Sequence, residues 1–196
     1  MAKRHIYLIR HGETEWSLNG RHTGSTDIPL TDNGRAVALG LAPVLAKVQE
    51  TSPFDLVLSS PLQRARETCE LAGLGAQAQV DPDLVEWNYG DYEGLTPQQI
   101  RAGHSDWLLF RDGCPNGETP EHVGARADWV ISRARACKGH VAIFAHGHFL
   151  RVLGARWIGL QASGGAHFLL DTATLCVLSE YHGNAAILHW NAPIAT

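Results

Sequence analysis

Three short apolar runs along the chain each stop abruptly at polar or glycine residues. Residues 6–9, 56–58 and 141–145 are apolar without alternation, which is typical of strands that are buried on both faces of a sheet. Each run is followed by a stretch that carries helix-start signals. The pattern therefore predicts an α/β protein in which a mostly parallel sheet lies between two layers of helices, a three-layer α/β/α fold.

A serine or threonine directly before a proline marks the predicted helix starts. Ser60-Pro61 combines a capping residue with proline at the first helical position, and it predicts a helix over residues 62–71. A last helix is expected from residue 149 to about residue 160. The same pair of residue types recurs at Thr96-Pro97 and Thr119-Pro120.

Two further features shape the predicted fold. Thr31 can cap a helix, and Pro43 falls inside the same helical pattern, so we expect Pro43 to kink or end that helix. Near the end of the chain, residues 174–179 and 186–190 are predicted to be strands joined by a turn at Gly183-Asn184, and they can form an antiparallel edge.

The composition is that of one globular domain. The 196 residues are 44% hydrophobic and 18% charged, and neither a repeat nor a linker divides them, so we expect a single domain over residues 1–196. The net charge of −4 gives no general attraction to nucleic acid.

Features of membrane and secreted proteins are absent from the sequence. No apolar run approaches the ~18 residues that would span a membrane, and no signal peptide precedes residue 6. The four cysteines are widely spaced without a C-x-x-C pair, so we expect reduced thiols. These observations predict a cytoplasmic protein with no membrane partner.

The candidate chemistry lies where the predicted strands end. Arg10 and His11 follow the first run, Arg64 comes shortly after the second, and His146 follows the third. Because ligands of such sheets bind beyond the carboxyl ends of the strands, these side chains are expected to converge. Guanidinium groups match phosphate oxygens, and histidine can act either as a cation or as a nucleophile toward phosphorus.

Several ordered motifs resemble the histidine phosphatase superfamily, in its phosphoglycerate mutase-like branch. The first is the R-H-G sequence at residues 10–12, and together the motifs span nearly the whole chain. The others are Thr23-Gly24, residues 27–31, residues 59–65 with Thr68, Glu86 with Tyr89-Gly90, residues 117–119, and His146-Gly147. The resemblance implies a phosphoglycerate mutase-like fold.

The resemblance also implies catalytic roles. His11 would be the nucleophile that becomes phosphorylated, and Arg10, Arg64 and a protonated His146 would surround the phosphoryl group. Glu86 would donate a proton to the leaving oxygen. These charges can stabilise phosphoryl transfer without a metal, and no cofactor is implied. We expect the ring of His11 to be held neutral by a backbone carbonyl.

The substrate is expected to be a small phosphorylated sugar. Residues 86–94, 110–114 and 144–148 are similar to the sedoheptulose-1,7-bisphosphatase-like sugar phosphatases, although His22 stands where that group usually has an aromatic residue. Of the candidate residues, Arg66 and His148, with Arg151, would reach a distal hydroxyl or phosphate. The substrate-binding candidates are Thr23, Gly24, Arg66, Tyr89, Gly147 and His148.

Two alternative functions remain open. A phosphoglycerate mutase would share the phosphohistidine, but the modest segment over residues 96–116 favours an open pocket and hydrolysis. A non-catalytic binder of a phosphorylated ligand would have no use for a proton donor such as Glu86. A homo-oligomer is possible in each case.

Two other motifs are interpreted as unrelated to the chemistry. Asp81-Pro82-Asp83 fits the nucleophile motif of haloacid-dehalogenase-like phosphatases, but the residues before it are polar rather than those of an apolar strand. His146 and His148 resemble a metal-binding pair, yet alternate residues of a strand point apart, so no metal site is predicted.

Overall fold

The computed structural model describes residues 4–194, and the strands in this range form one six-stranded sheet. Across the sheet, the third strand along the chain is followed by the second, fourth, first, fifth and sixth. The first four strands run parallel to one another, the fifth is antiparallel to the first, and the sixth is antiparallel to the fifth. The antiparallel edge near the end of the chain is as predicted. The strands are β1 (Ile6–Arg10), β2 (Phe54–Ser59), β3 (Ala78–Val80), β4 (His140–Ala145), β5 (Leu175–Tyr181) and β6 (Asn184–Ala192).

Helices cover both faces of the sheet. Along β1, Ile6 and Leu8 belong to one hydrophobic core, whereas Tyr7 and Ile9 belong to another on the opposite face. The three-layer α/β/α prediction is confirmed. The α-helices of the described range are α1 (Glu15–Asn19), α2 (Asp32–Leu39), α3 (Leu41–Thr51), α4 (Gln63–Leu71), α5 (Pro97–Gly103), α6 (Leu109–Asp112), α7 (Pro120–Ala136) and α8 (Gly147–Trp157).

The strand register aligns the three segments that carry the candidate chemistry. Arg10 at the end of β1 pairs with Ala145 at the end of β4. The next residue, His11, donates its backbone N–H to Ala145 O at 3.0 Å, and Ser60 donates to Phe144 O at 3.0 Å. The residues that follow β1, β2 and β4 therefore emerge side by side, as the parallel sheet predicts.

The predicted cap of α4 is wrong. The helix begins at Gln63, and no side chain of its own chain segment caps it. Instead, Asp27 Oδ1 accepts the N–H of Gln63 at 2.8 Å. The hydroxyl of Ser60 lies 2.8 Å from His146 Nε2, so this serine contributes to the candidate site rather than to helix capping.

The predicted break at Pro43 is also displaced. Thr31 caps α2 through the N–H of Gly34, as predicted, but α2 ends at Leu39 and α3 starts at Leu41. Pro43 then lies in the first turn of α3, where an N–H group has no partner within the helix. The chain therefore breaks before the proline rather than at it.

Two local features of the sheet differ from the sequence-based expectation. The hairpin turn is His182-Gly183, one residue earlier than predicted, and both residues have positive φ, as a two-residue type I′ turn requires. The residues before Asp81 do form a strand, β3, at the edge of the sheet. Edge strands tolerate polar residues, so the polar residues before Asp81 did not exclude a strand. Asp81 itself pairs with Arg133.

All four cysteines are free thiols in this structure. Burial raises the pKa of Cys69 and Cys114 to about 12 and that of Cys176 to about 11. Within residues 4–194, no helix combines the length and the apolar character that crossing a membrane requires.

Trp190 links the sheet edge to the loop that holds the candidate site. Its Nε1–H donates to Leu169 O at 2.6 Å, and the next carbonyl, Leu170 O, accepts from Arg10 Nη1 at 2.5 Å. The indole packs against Gly154 of α8, where an added Cβ would lie 2.6 Å from two ring carbons. Because Gly154 has no side chain, the Trp190 ring can pack directly against the backbone of α8.

We expect Gly154→Ala to destabilise the protein by about 1–3 kcal/mol, because the new methyl group overpacks against Trp190. The matched control is Gly103→Ala, since a Cβ at Gly103 meets nothing within 4 Å. That change should stabilise by about 0.5–1 kcal/mol through helix propensity. Urea denaturation measures the change in unfolding free energy of each variant relative to the wild type. If both variants were stabilised, or both destabilised, the packing argument would be contradicted.

Candidate active site

His11 is held as a neutral imidazole at the end of β1. Its Nδ1 lies 2.7 Å from Gly12 O, so Nδ1 carries the proton and donates it to that carbonyl. The pKa of His11 lies well below its usual value, first because of burial and then because of the nearby charges of Arg64 and Arg10. The lone pair therefore remains on Nε2, which is the nitrogen a nucleophile needs. This is the carbonyl contact that the sequence analysis expected.

Arg10 lies partly buried next to His11, and its guanidinium group is only partly hydrogen-bonded to protein. Its Nη1 donates to Leu170 O, while Nε has no partner within residues 4–194. Burial lowers the pKa of Arg10, and the charge of Glu86 opposes that shift. A Cβ on Gly147 would lie 3.2 Å from the guanidinium carbon, so a side chain at this position would press on Arg10. The free Nε–H is suited to an anion.

Arg64 connects the loop after α1 to His146. Its Nη1 donates to Thr26 O, and its Nη2 donates to Thr23 O and Gly24 O, each at 3.0 Å. Its Nε donates to His146 Nδ1 at 3.2 Å. The side chain is fully buried, and four of its five N–H groups are thus engaged by protein. Arg64 therefore orders the pocket wall in addition to supplying charge.

His146 is fully buried at the start of α8, behind His11. The two ring centroids are 5.2 Å apart. Because Nδ1 accepts from Arg64, the proton resides on Nε2, which donates to Ser60 Oγ. The pKa of His146 lies well below its usual value, because of burial and then of Arg64. His146 is therefore neutral in the free protein, and the protonated ring expected during phosphoryl transfer stays a prediction.

The carboxylate of Glu86 is held by the N-terminus of α8. One oxygen accepts the N–H of Trp87 at 2.9 Å and that of Phe149 at 2.8 Å, and the other accepts the N–H of His148 at 3.0 Å. The first-turn N–H groups of a helix favour such an anionic partner. These contacts fix the position of the Glu86 carboxylate at the start of α8.

Tyr89 and His148 form a hydrogen-bonded pair beside Glu86, in which Tyr89 is buried and His148 is partly exposed. The phenol oxygen lies 2.6 Å from His148 Nδ1. Burial and the charge of Glu86 raise the pKa of Tyr89 well above its usual value, so the phenol keeps its proton and donates it. Burial and then Arg151 lower the pKa of His148. Its ring is therefore neutral, with the remaining N–H on Nε2.

A cavity of about 190 Å³ brings most of the predicted residues together. Arg64 and His146 lie behind its wall rather than on it. Gly24 also lies behind it, where its N–H donates to Glu93 and its carbonyl accepts from Arg64. The predicted residues that line the cavity are Arg10, His11, Thr23, Glu86, Tyr89, Gly147 and His148.

Arg66 is placed away from this cavity. It is exposed on α4 and lines a separate hollow with Ser59 and Cys69. Two residues along a helix correspond to about 200° of rotation, so an inward Arg64 turns Arg66 outward. The prediction that Arg66 contacts the substrate is wrong in this structure.

The two histidines of the suspected metal pair have separate partners. His146 contacts Arg64 and Ser60, whereas His148 contacts Tyr89. In the described part of the chain, no group of three or more His, Cys, Asp or Glu side chains is arranged to hold a metal ion.

Sequence reasoning missed the contribution of several residues. The Ser60 hydroxyl was interpreted only as a helix cap, and nothing in the sequence identified the Leu170 carbonyl that holds Arg10. A hydroxyl next to the end of a buried strand was the available signal for Ser60. For Leu170 there was none, because any residue supplies a carbonyl.

His22 is a buried neutral histidine stacked on Tyr89, with ring centroids 4.4 Å apart. Burial lowers its pKa to about 4. Between about pH 4 and pH 6.5, His22 therefore stays unprotonated in the folded protein, whereas the same ring takes up a proton in the unfolded chain. Stability that is fully present above pH 6.5 is lost as the pH falls toward 4.

Between pH 7 and pH 4, the free energy of unfolding should fall both in the wild type and in His22→Phe. We expect the fall to be about 2–3 kcal/mol smaller in the variant than in the wild type. The readout is the change in unfolding free energy with pH, so a constant offset from altered packing does not affect it. Urea titrations at several pH values measure it, and parallel curves for both proteins would contradict the burial argument.

Comparison with known proteins agrees with this geometry. Residues 6–193 match the model of the histidine phosphatase superfamily (branch 1). An acid phosphatase from Mycobacterium tuberculosis is 41% identical over 180 residues, which cover 91% of this chain and 87% of that protein. A sedoheptulose 1,7-bisphosphatase from Saccharomyces cerevisiae is 36% identical over 181 residues, covering 78% of this chain and 67% of that protein.

A solved structure shows the same fold. An open reading frame from Mycobacterium tuberculosis superimposes with a TM-score of 0.92 at 37% identity, covering 98% of this chain and 99% of that one. The family match extends over the buried His11, the two arginines and Glu86, which the sheet and α8 bring to one pocket. The chain belongs to the histidine phosphatase superfamily, branch 1.

Proposed function

We propose that this protein is a metal-independent phosphatase that hydrolyses small sugar phosphates through a phosphohistidine on His11. The observation that carries the proposal is the neutral His11 ring, whose Nδ1–H is committed to Gly12 O while Nε2 is left available beside the cavity. The sugar phosphate acted on by the similar yeast bisphosphatase supports the substrate class.

In the first step, His11 Nε2 attacks phosphorus and the bond from phosphorus to the ester oxygen breaks. The guanidinium groups of Arg10 and Arg64 balance the charge on the phosphoryl oxygens. Glu86, which must be protonated at this point, gives its proton to the departing alkoxide, so the sugar leaves as a neutral alcohol.

In the second step, the Glu86 carboxylate takes a proton from water as the water oxygen attacks the phosphohistidine. The bond from phosphorus to Nε2 breaks, and inorganic phosphate is released. The three N–H groups that hold Glu86 keep its two oxygens in place for both steps. Glu86 recovers its proton and His11 its lone pair, so the cycle closes.

A bound phosphate also changes the state of His146. In the free protein, burial and the two arginines keep this ring neutral. A phosphate dianion would add negative charge beside Arg10 and Arg64, which favours the protonated imidazole. We propose that His146 becomes a cation only when substrate binds. Its Nδ1, which accepts from Arg64 Nε in the free protein, would then carry a proton, so that hydrogen bond would have to open, while Ser60 orients the ring through the Nε2 contact.

His11→Ala is expected to lower phosphate release on the order of a thousand-fold or more, because the covalent route is lost. Wild-type protein quenched during turnover in EDTA should carry one acid-labile phosphate on His11, detected by mass spectrometry. Unchanged release by the variant would contradict the proposal. Conversion of 3- to 2-phosphoglycerate faster than phosphate release would instead identify a mutase.

Glu86→Gln is expected to slow hydrolysis of sugar phosphates by about 10²–10⁴-fold, because their alkoxides need the proton. The nitrophenolate of p-nitrophenyl phosphate can leave without receiving a proton, so the rate of the first step with this substrate should be little changed in the variant. The variant should then release a burst of nitrophenol, followed by slow turnover as phosphohistidine accumulates. Equal loss on both substrates without a burst would rule out the assigned role of Glu86.

A further inference from the structure

The motif at residues 117–119 lies directly against the segment that carries Glu86. The N–H of Glu118 donates to Asn88 O at 2.8 Å, and Glu118 Oε2 accepts the N–H of Asn88, also at 2.8 Å. Gly117 permits this approach, because a Cβ at that position would collide with Asn88 O. The proposed reaction uses none of the three residues of the motif, so the motif needs another explanation.

Glu118 forms a two-point ion pair with Arg126 of α7. Arg126 Nε lies 2.8 Å from Glu118 Oε1, and Arg126 Nη2 lies 2.9 Å from Glu118 Oε2. The two side chains are only 17% and 18% exposed, so water and salt screen the pair weakly. Two parallel bonds fix the plane of the guanidinium group, which a single ammonium group could not do.

The other N–H groups of Arg126 hold the backbone at Glu86 and just before it. Nη1 donates to Asp83 O at 2.6 Å and to Val85 O at 3.0 Å, and Nη2 donates to Glu86 O at 3.4 Å. Three carbonyls are therefore bonded to one guanidinium group whose orientation Glu118 fixes. These contacts restrict how far the chain can shift or rotate at the point where the Glu86 side chain begins.

The same ion pair contacts both residues whose N–H groups hold Glu86 Oε1. These two donors are Trp87 and Phe149. The indole N–H of Trp87 donates to Glu118 O at 3.0 Å, and the guanidinium carbon of Arg126 lies 5.0 Å from the centre of the Phe149 ring. The pair therefore supports the carboxylate from two sides, through its backbone and through its hydrogen-bond donors.

We propose that Arg126, held in orientation by Glu118, is a positioning residue for the proton donor Glu86. The inference rests on the phosphatase function proposed above and concerns the same site. Arg126 does not line the catalytic cavity, and Glu118 balances its charge, so its effect on the reaction comes from where it places the Glu86 carboxylate. A displacement of about 1 Å of such a group can slow a reaction on the order of a hundredfold.

The test compares p-nitrophenyl phosphate, phenyl phosphate and glycerol 3-phosphate, whose leaving oxygens need a donated proton increasingly in that order. Arg126→Lys keeps the charge but loses the two-point contact. It should lower kcat/KM by about 10–100-fold for glycerol 3-phosphate and by less than about threefold for p-nitrophenyl phosphate, with phenyl phosphate between them. Glu118→Gln should change the ratio of these kcat/KM values in the same direction.

The ratio of kcat/KM values distinguishes positioning from a loss of folded protein. All three substrates are measured on one preparation, so the ratio does not depend on the fraction of molecules that is folded. Full retention of the wild-type ratio in Arg126→Lys would overturn the inference, because a charge without the two-point contact would then suffice.

The matched control is Arg156→Lys. Arg156 of α8 also makes a two-point ion pair, with Asp128 of α7, through Nε and Nη2 at 2.8 Å each. Its remaining hydrogen bond in the described chain is to Leu160 O, so it does not contact residues 83–88. This variant should keep the wild-type ratio. A change as large as that of Arg126→Lys would contradict the inference, because any disturbance of α7 would then have the same effect.

The double variant with Glu86→Gln shows whether Arg126 acts through Glu86. Glu86→Gln already lacks the transferable proton, so adding Arg126→Lys should not change the ratio further. A further change would overturn the positioning role, since Arg126 would then act independently of the proton donor.

The outcomes also separate this inference from the function on which it rests. If Glu86→Gln changes the ratio and Arg126→Lys does not, the positioning role is rejected and the phosphatase proposal stands. If Glu86→Gln leaves the ratio unchanged, the assigned proton donor is wrong and the inference is rejected with it. No phosphate release by the wild type from any of the three substrates would reject the phosphatase function itself.

Discussion

The site depends on two guanidinium groups that lie beside a histidine without carboxylate partners of their own. Within residues 4–194, neither Arg10 nor Arg64 takes part in an ion pair; Arg64 is fully buried and Arg10 is partly buried. Charges in that position are costly to the fold unless something compensates them. The same two charges lower the pKa of His11, so in the proposed reaction the groups that would attract a phosphate would also keep the attacking imidazole neutral.

The fold maintains this arrangement with backbone groups rather than with opposite charges. Carbonyls of the loop after α1 accept from Arg64, and a carbonyl of the segment before β5 accepts from Arg10. Carbonyl dipoles orient a guanidinium but leave its net charge free for a ligand. The acidic group of the site, Glu86, is in turn held by N–H groups of α8. A phosphate dianion therefore completes the electrostatics, and its binding should stabilise the folded protein.

Positive charge continues from the catalytic cavity into a neighbouring cavity. Arg111 is paired there with Asp106 and Asp112, whereas Arg101 donates to Trp107 O and Arg151 donates to Gly165 O. His22 and His148 lie between the two cavities as neutral rings, so they add no charge there.

The sequence by itself determined the order of the main strands and helices, although not the edge strand β3, and it determined the residues at the ends of the strands. Buried parallel strands have continuous apolar runs, and whatever follows them must emerge at one edge, so Arg10, His11 and His146 could be placed together. It did not determine where the other side chains pointed. Arg66 turned away because α4 rotates by about 200° over two residues, and Ser60 served His146 because Asp27, distant in sequence, capped α4 in its place. The protonation of His146 and the pairing of the arginines were decided only by tertiary structure, since both depend on burial and on which charges become neighbours.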